Sequence, residues 1–156
     1  MIFTQMIDGS DGAFGAYIAK PAQPNGAALV VIQEIFGVNR VMRDLADHYA
    51  SIGYLAIAPD LFWRIEPGID ISDKTPAEMS RAFELFGEFN VDTGIKDIQA
   101  TLDYARTLSS KVGAVGYCLG GLLAYLTACR TNVDASVSYY GVSIDKYADQ
   151  ASDITK

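Results

Sequence analysis

Two regimes of apolar patterning alternate along the chain: short, nearly continuous apolar runs of strand length, and longer stretches whose apolar residues recur every three or four positions. Residues 2–7 and 13–19 are extended runs on either side of Asp8-Gly9-Ser10-Asp11-Gly12, a turn-forming cluster, and predict a hairpin. Pro21 and Pro24 then break the pattern. Residues 27–32 are apolar without alternation, as a strand covered on both faces requires. Residues 40–52 place Val41, Leu45, Tyr49 and Ile52 at helical spacing, with Gly53 as the stop. The next strand, 54–58, ends at Pro59-Asp60, because proline cannot continue a central ladder.

Residues 61–75 have no period and predict a long surface excursion, a candidate lid with Phe62 and Trp63 near its start. Residues 76–87 predict a helix with Pro76 at its tolerated N-terminal position and Phe83 and Phe86 on one side. Residues 92–108 predict a second helix, striped by Ile95, Ile98, Leu102, Ala105 and Leu108. A strand reaching Gly116, an apolar helix leaving from Leu119, a strand over 135–140 and a polar, weakly patterned stretch over 142–156 follow.

The recurring strand–helix–strand order predicts an α/β fold: a doubly wound, mostly parallel sheet with helices on both faces. No repeat, low-complexity tract or linker divides the chain, so residues 1–156 read as one domain. Sites in such sheets form outside the carboxyl ends of the strands. Glu34, Asp60 and Cys118 all follow predicted strand ends and are expected to converge on one rim.

Composition narrows the function classes. With 156 residues, half of them hydrophobic, the chain is long enough to bury a substantial core. A formal net charge of -7 argues against nucleic acid, whose phosphates are held by clustered Lys and Arg. No run approaches the roughly 20 apolar residues of a membrane span, and residues 1–5 begin no signal peptide, so a cytoplasmic location is expected. Cys118 and Cys129 lie about 16 Å apart along one predicted helix, too far to bridge, and read as reduced thiols. One histidine and two separated cysteines make no metal-ligand set, and neither metal nor cofactor is expected.

The chemistry concentrates in Gly116-Tyr117-Cys118-Leu119-Gly120-Gly121. Cys118 falls on the sharp turn between strand and helix, where a nucleophile elbow carries its nucleophile, with sulfur in place of oxygen. Gly116 and Gly120 leave room for a strained turn, and the unpaired N–H groups of the helix N-terminus favour a thiolate. Two plainer readings stand beside this one: a Gly-rich strand-to-helix turn also binds dinucleotides, and a lone cysteine in an apolar context also serves as packing. Glu34, directly behind an apolar strand, is either solvated or functional. His48 lies roughly 12 Å along its helix, and reads as a boundary packing residue and not as a catalytic partner.

These residues resemble the dienelactone hydrolases, also called carboxymethylenebutenolidases, within the α/β-hydrolase fold. The resemblance rests on Gln33-Glu34-Ile35-Phe36-Gly37-Val38-Asn39, the run from Gly53 to Phe62, Val115-Gly116-Tyr117-Cys118-Leu119-Gly120-Gly121, and Tyr139-Tyr140-Gly141-Val142. It implies that Cys118 attacks an ester or lactone carbonyl and forms an acyl-thioester, and that Glu34 helps generate the thiolate. It implies an oxyanion hole from the backbone N–H groups of Ile35 and Leu119. It also implies substrate contacts from Phe36, Arg81, Phe83 and Phe86, although Met79 stands where the family's arginine is expected and Arg81 lies half a turn away. The family's catalytic Asp and His follow the strand near Tyr140, and are expected beyond Lys156. The chain then reads as about two thirds of the family fold, acting on a small-molecule ester or lactone. The alternative is a non-catalytic binding or assembly module that completes its sheet with a partner. Oligomeric state is left open.

Overall fold

The computed structural model describes residues 2–155. Its centre is a six-stranded mixed sheet with spatial order β1-β2-β4-β3-β5-β6. Strands β1 (Gln5–Gly9) and β2 (Gly12–Ala19) form an antiparallel hairpin whose turn is only Ser10-Asp11, because Asp8 pairs with Ala13 and Gly9 with Gly12. Strands β3 (Ala27–Ile32), β4 (Leu55–Pro59), β5 (Lys111–Tyr117) and β6 (Ala135–Tyr139) run parallel, and β2 joins them antiparallel to β4. Pro59 belongs to β4 after all. It pairs with Ala16 of β2, beyond the last residue of the β3 ladder, where no amide proton is required of it on that side.

Helix α1 (Arg40–Ser51) covers one face of the sheet; α3 (Val91–Arg106) and α4 (Leu119–Arg130) cover the other, and α2 (Pro76–Glu88) adds Ala82 and Leu85 to the core on that side. The continuous apolar character of β3 has this cause. Ala28, Val30 and Ile32 enter the core under α3 and α4, whereas Leu29 and Val31 face α1. Each large side chain buried there contributes roughly 1.5–3 kcal/mol. Helix α4 is buried nearly all round, from Leu119 to Ala128, which is why its sequence is apolar without a stripe.

Three local expectations change. The buried face of α1 is Met42, Ala46 and Ala50, while Val41 and Ile52 are exposed, because small alanines let the helix lie close on the sheet. Helix α3 ends at Arg106, which leaves Leu108 exposed beyond it. The stretch 61–75 is fastened and does not form a free lid. Phe62 is fully buried against Phe89, Trp63 stacks on Phe14, and the Gln33 Oε1 accepts from the Leu61 N–H at 2.9 Å. The polar stretch after β6 winds into a 3₁₀ segment (Ile144–Asp153), held by Tyr125 donating to the Tyr147 carbonyl at 2.9 Å.

Candidate active site

The strand order reverses at β3: the chain passes from β3 to β4 on one side and returns to β5 on the other. A crevice opens at such a switch point, outside the carboxyl ends of the strands. The register pairs Ile32 with Gly116, so Glu34 and Cys118 each lie two residues beyond the same rung.

Cys118 occupies φ 56°, ψ -113°, a strained conformation for a residue with a side chain, between the end of β5 and the start of α4. Close backbone approach forces it. A Cβ on Gly116 would lie 1.8 Å from the Gly120 carbonyl oxygen, and one on Gly120 would lie 2.3 Å from the Ile32 carbonyl oxygen. The glycines therefore press β5, α4 and the chain leading to Glu34 into contact. The Leu119 N–H approaches the sulfur and lowers the thiol pKa, but burial and the negative charge of Glu34 outweigh it and push the thiol above its ordinary value.

Glu34 accepts a hydrogen bond from the Tyr140 hydroxyl at 3.1 Å. Phe36, half-buried, joins Glu34 in lining a cavity of about 300 Å³ between α1 and residues 70–78. Ile35 is buried on the loop beside them. Arg81 is engaged by Glu66 at 2.7 Å and Glu84 at 3.1 Å, while Phe83 and Phe86 are exposed on α2. Asp60 does not join the rim group. It is buried, accepts from the N–H groups of Phe62 at 3.1 Å and Gly68 at 2.8 Å, and fastens the loop after β4; burial lifts its pKa to about 6. His48 is exposed on α1, its ring 5.8 Å from that of Tyr49. Among the described residues no group of three or more His, Cys, Asp or Glu is placed to hold a metal ion, and no helix is long and apolar enough to cross a membrane.

Sequence reasoning gave Tyr140 no role of its own. It sits in the Tyr139-Tyr140-Gly141-Val142 run just past β6 that contributes to the family resemblance, and its hydrogen bond to Glu34 joins residues that no local pattern connects.

The sequence model of the Dienelactone hydrolase family matches residues 14–156. The chain belongs to that family. A relative from Azospirillum brasilense, named "Putative carboxymethylenebutenolidase", is 48% identical over 153 residues, covering 95% of this chain and 65% of its own. The carboxymethylenebutenolidase of Pseudomonas putida is 40% identical over 148 residues, 93% of this chain and 62% of its own. Among solved structures, the "Putative Dienelactone Hydrolase" from Klebsiella pneumoniae superposes with a TM-score of 0.73 at 29% identity, over 88% of this chain and 58% of that one. Its α/β-hydrolase architecture is the one described above. The chain thus spans less than two thirds of the length of these family members.

Proposed function

We propose that this chain carries the nucleophilic part of a hydrolase that opens small esters or lactones through Cys118. The observation that carries the reading is the elbow itself. A cysteine held at φ 56° between β5 and α4, with the Leu119 N–H at its sulfur and Glu34 across the crevice, brings a nucleophile, a hydrogen-bond donor and a carboxylate to one turn. In this mechanism Sγ, losing its proton to Glu34, forms a bond to the carbonyl carbon, and the oxyanion is held by the N–H groups of Leu119 and Ile35. The carbonyl re-forms as the alkoxide leaves, taking up a proton, and water then cleaves the acyl-thioester. The acid–base groups that protonate the leaving alkoxide and activate that water, an Asp and a His, come from the part of the relatives' length that this chain does not span. Phe36, Arg81, Phe83 and Phe86 are assigned to the substrate side of the same site, and the compartment is taken as the cytoplasm.

A second reading has one observation in its favour. Strand β6 is an exposed edge, and Val137 and Tyr139 on it, with Leu29, Ile52 and Tyr54, line an apolar groove of about 430 Å³ on the α1 face. A binding module would complete its sheet there.

The time course of p-nitrophenyl acetate hydrolysis separates the two. The hydrolase reading expects release of about one p-nitrophenolate per chain in a burst that disappears in Cys118→Ala. An unchanged time course in that variant would remove Cys118 as the nucleophile.

A further inference from the structure

We propose that Tyr140 is a positioning residue that holds the Glu34 carboxylate in place against Cys118, across the crevice between β3 and β5. The inference rests on the Cys118–Glu34 reading above and adds the group that makes their relation rigid.

The backbone around Tyr140 is fastened to the elbow on both sides. The Cys118 N–H donates to the Tyr139 carbonyl at 3.1 Å, and the Val142 N–H donates to the Cys118 carbonyl at 3.3 Å. Gly141 lies against Gly121 and Leu122 so closely that a Cβ on it would meet the Gly121 carbonyl carbon at 2.8 Å. Tyr140 bridges these contacts with φ 39°, a left-handed conformation that a tyrosine adopts only under constraint.

Its ring is placed by other aromatics. It lies 6.2 Å from the ring of Tyr117, which stacks on Tyr139 at 5.1 Å and 5°, and whose hydroxyl shares a 2.6 Å hydrogen bond with that of Tyr49. From this platform the Tyr140 hydroxyl reaches Glu34 Oε1 at 3.1 Å, joining residues 106 positions apart. The Tyr140 side chain is 66% exposed, so the bond is not a by-product of core packing. Burial, the charge of Glu34 and this hydrogen bond all keep the phenol protonated, and so a donor.

The consequence for the nucleophile is electrostatic. An anion fixed beside the sulfur opposes a thiolate. Glu34 is the charged group that acts on the Cys118 thiol, and Tyr140 in turn responds to both Glu34 and Cys118. Without the Tyr140 hydroxyl, the half-buried Glu34 side chain, two residues past β3, turns toward solvent and its hold on the sulfur weakens.

The test is the pH dependence of Cys118 alkylation by iodoacetamide, from about pH 6 to about pH 10, with peptide mass spectrometry separating Cys118 from Cys129. Wild type, Glu34→Gln, Tyr140→Phe and the double variant are compared; Tyr140→Phe keeps the ring and its aromatic neighbours. Both single variants are expected to lower the midpoint by a similar amount. The alkylation rate below it should rise about two- to fivefold, since the more acidic thiolate is also the weaker nucleophile. The double variant should match Glu34→Gln, because Tyr140 acts only through Glu34. A wild-type profile in Tyr140→Phe with a lowered one in Glu34→Gln overturns the proposal. So does a Tyr140→Phe effect that persists in the Glu34→Gln background. If Glu34→Gln itself leaves the profile unmoved, the fault lies deeper, in the assignment of Glu34 to the site, and the role of Tyr140 falls with it.

Discussion

Replacing Gly116 by alanine tests whether the elbow depends on direct contact between backbones. The added Cβ would stand 1.8 Å from the Gly120 carbonyl oxygen, 2.3 Å from its carbon and 3.1 Å from the Ala124 Cβ. The first two atoms are backbone and have no rotamer to change, so β5 and α4 must move apart by about 1 Å or more. That opens a seam beside Leu119, Leu123 and Ala124, all fully buried. A misfit of this kind costs at the upper end of overpacking, about 3 kcal/mol. For a chain of this length the melting temperature falls by about 6–12 °C. Gly87→Ala is the matched reference. Gly87 lies in α2 with nothing within 4 Å of a new Cβ, so alanine there should raise the midpoint by about 2–4 °C through helix propensity alone. Thermal unfolding followed by far-ultraviolet circular dichroism reads both. If Gly116→Ala melts within about 2 °C of wild type, the close contact of strand and helix at the elbow is not what holds Cys118 in its strained turn.

Two further outcomes follow from buried carboxylates. Asp60, with its pKa lifted to about 6 by burial, binds its proton more tightly in the native state than in the unfolded chain. Its contribution therefore declines as pH rises from about 4 to about 6, by roughly 3 kcal/mol in all. Urea unfolding of wild type and Asp60→Asn across that window should show the variant with the flatter dependence, and parallel curves would remove Asp60 as the source. Asp97, 1% exposed on α3, accepts from the Trp63 indole at 2.9 Å and pairs with Arg64, which also reaches Asp11. Asp97→Ala leaves the Trp63 indole N–H without its acceptor and Arg64 with Asp11 alone, and should cost about 3 kcal/mol, with a red shift in the fluorescence of Trp63, the chain's one tryptophan. An unshifted emission maximum would mean that the indole keeps its surroundings without Asp97.

The elements of this protein were legible in sequence because their causes are local. The apolar run of β3, the stripe of α3 from Ile95 to Ala105 and the glycines flanking Cys118 record burial, helical period and tight approach within a few residues of one another. Those same local marks placed a nucleophile on a turn and a carboxylate after a strand, and together they carried the family resemblance that comparison with relatives bears out. What they could not carry was which strands are neighbours. The order β4-β3-β5 sets Glu34 and Cys118 two residues past one rung and sends Asp60 inward to fasten a loop, although all three follow strand ends alike. The alanine-lined face of α1 escaped notice because close approach to a sheet rewards small side chains, which leave little apolar signal. The Tyr140–Glu34 hydrogen bond spans 106 positions. Contacts of that separation follow from the register of the assembled sheet, and no periodicity in the chain records them.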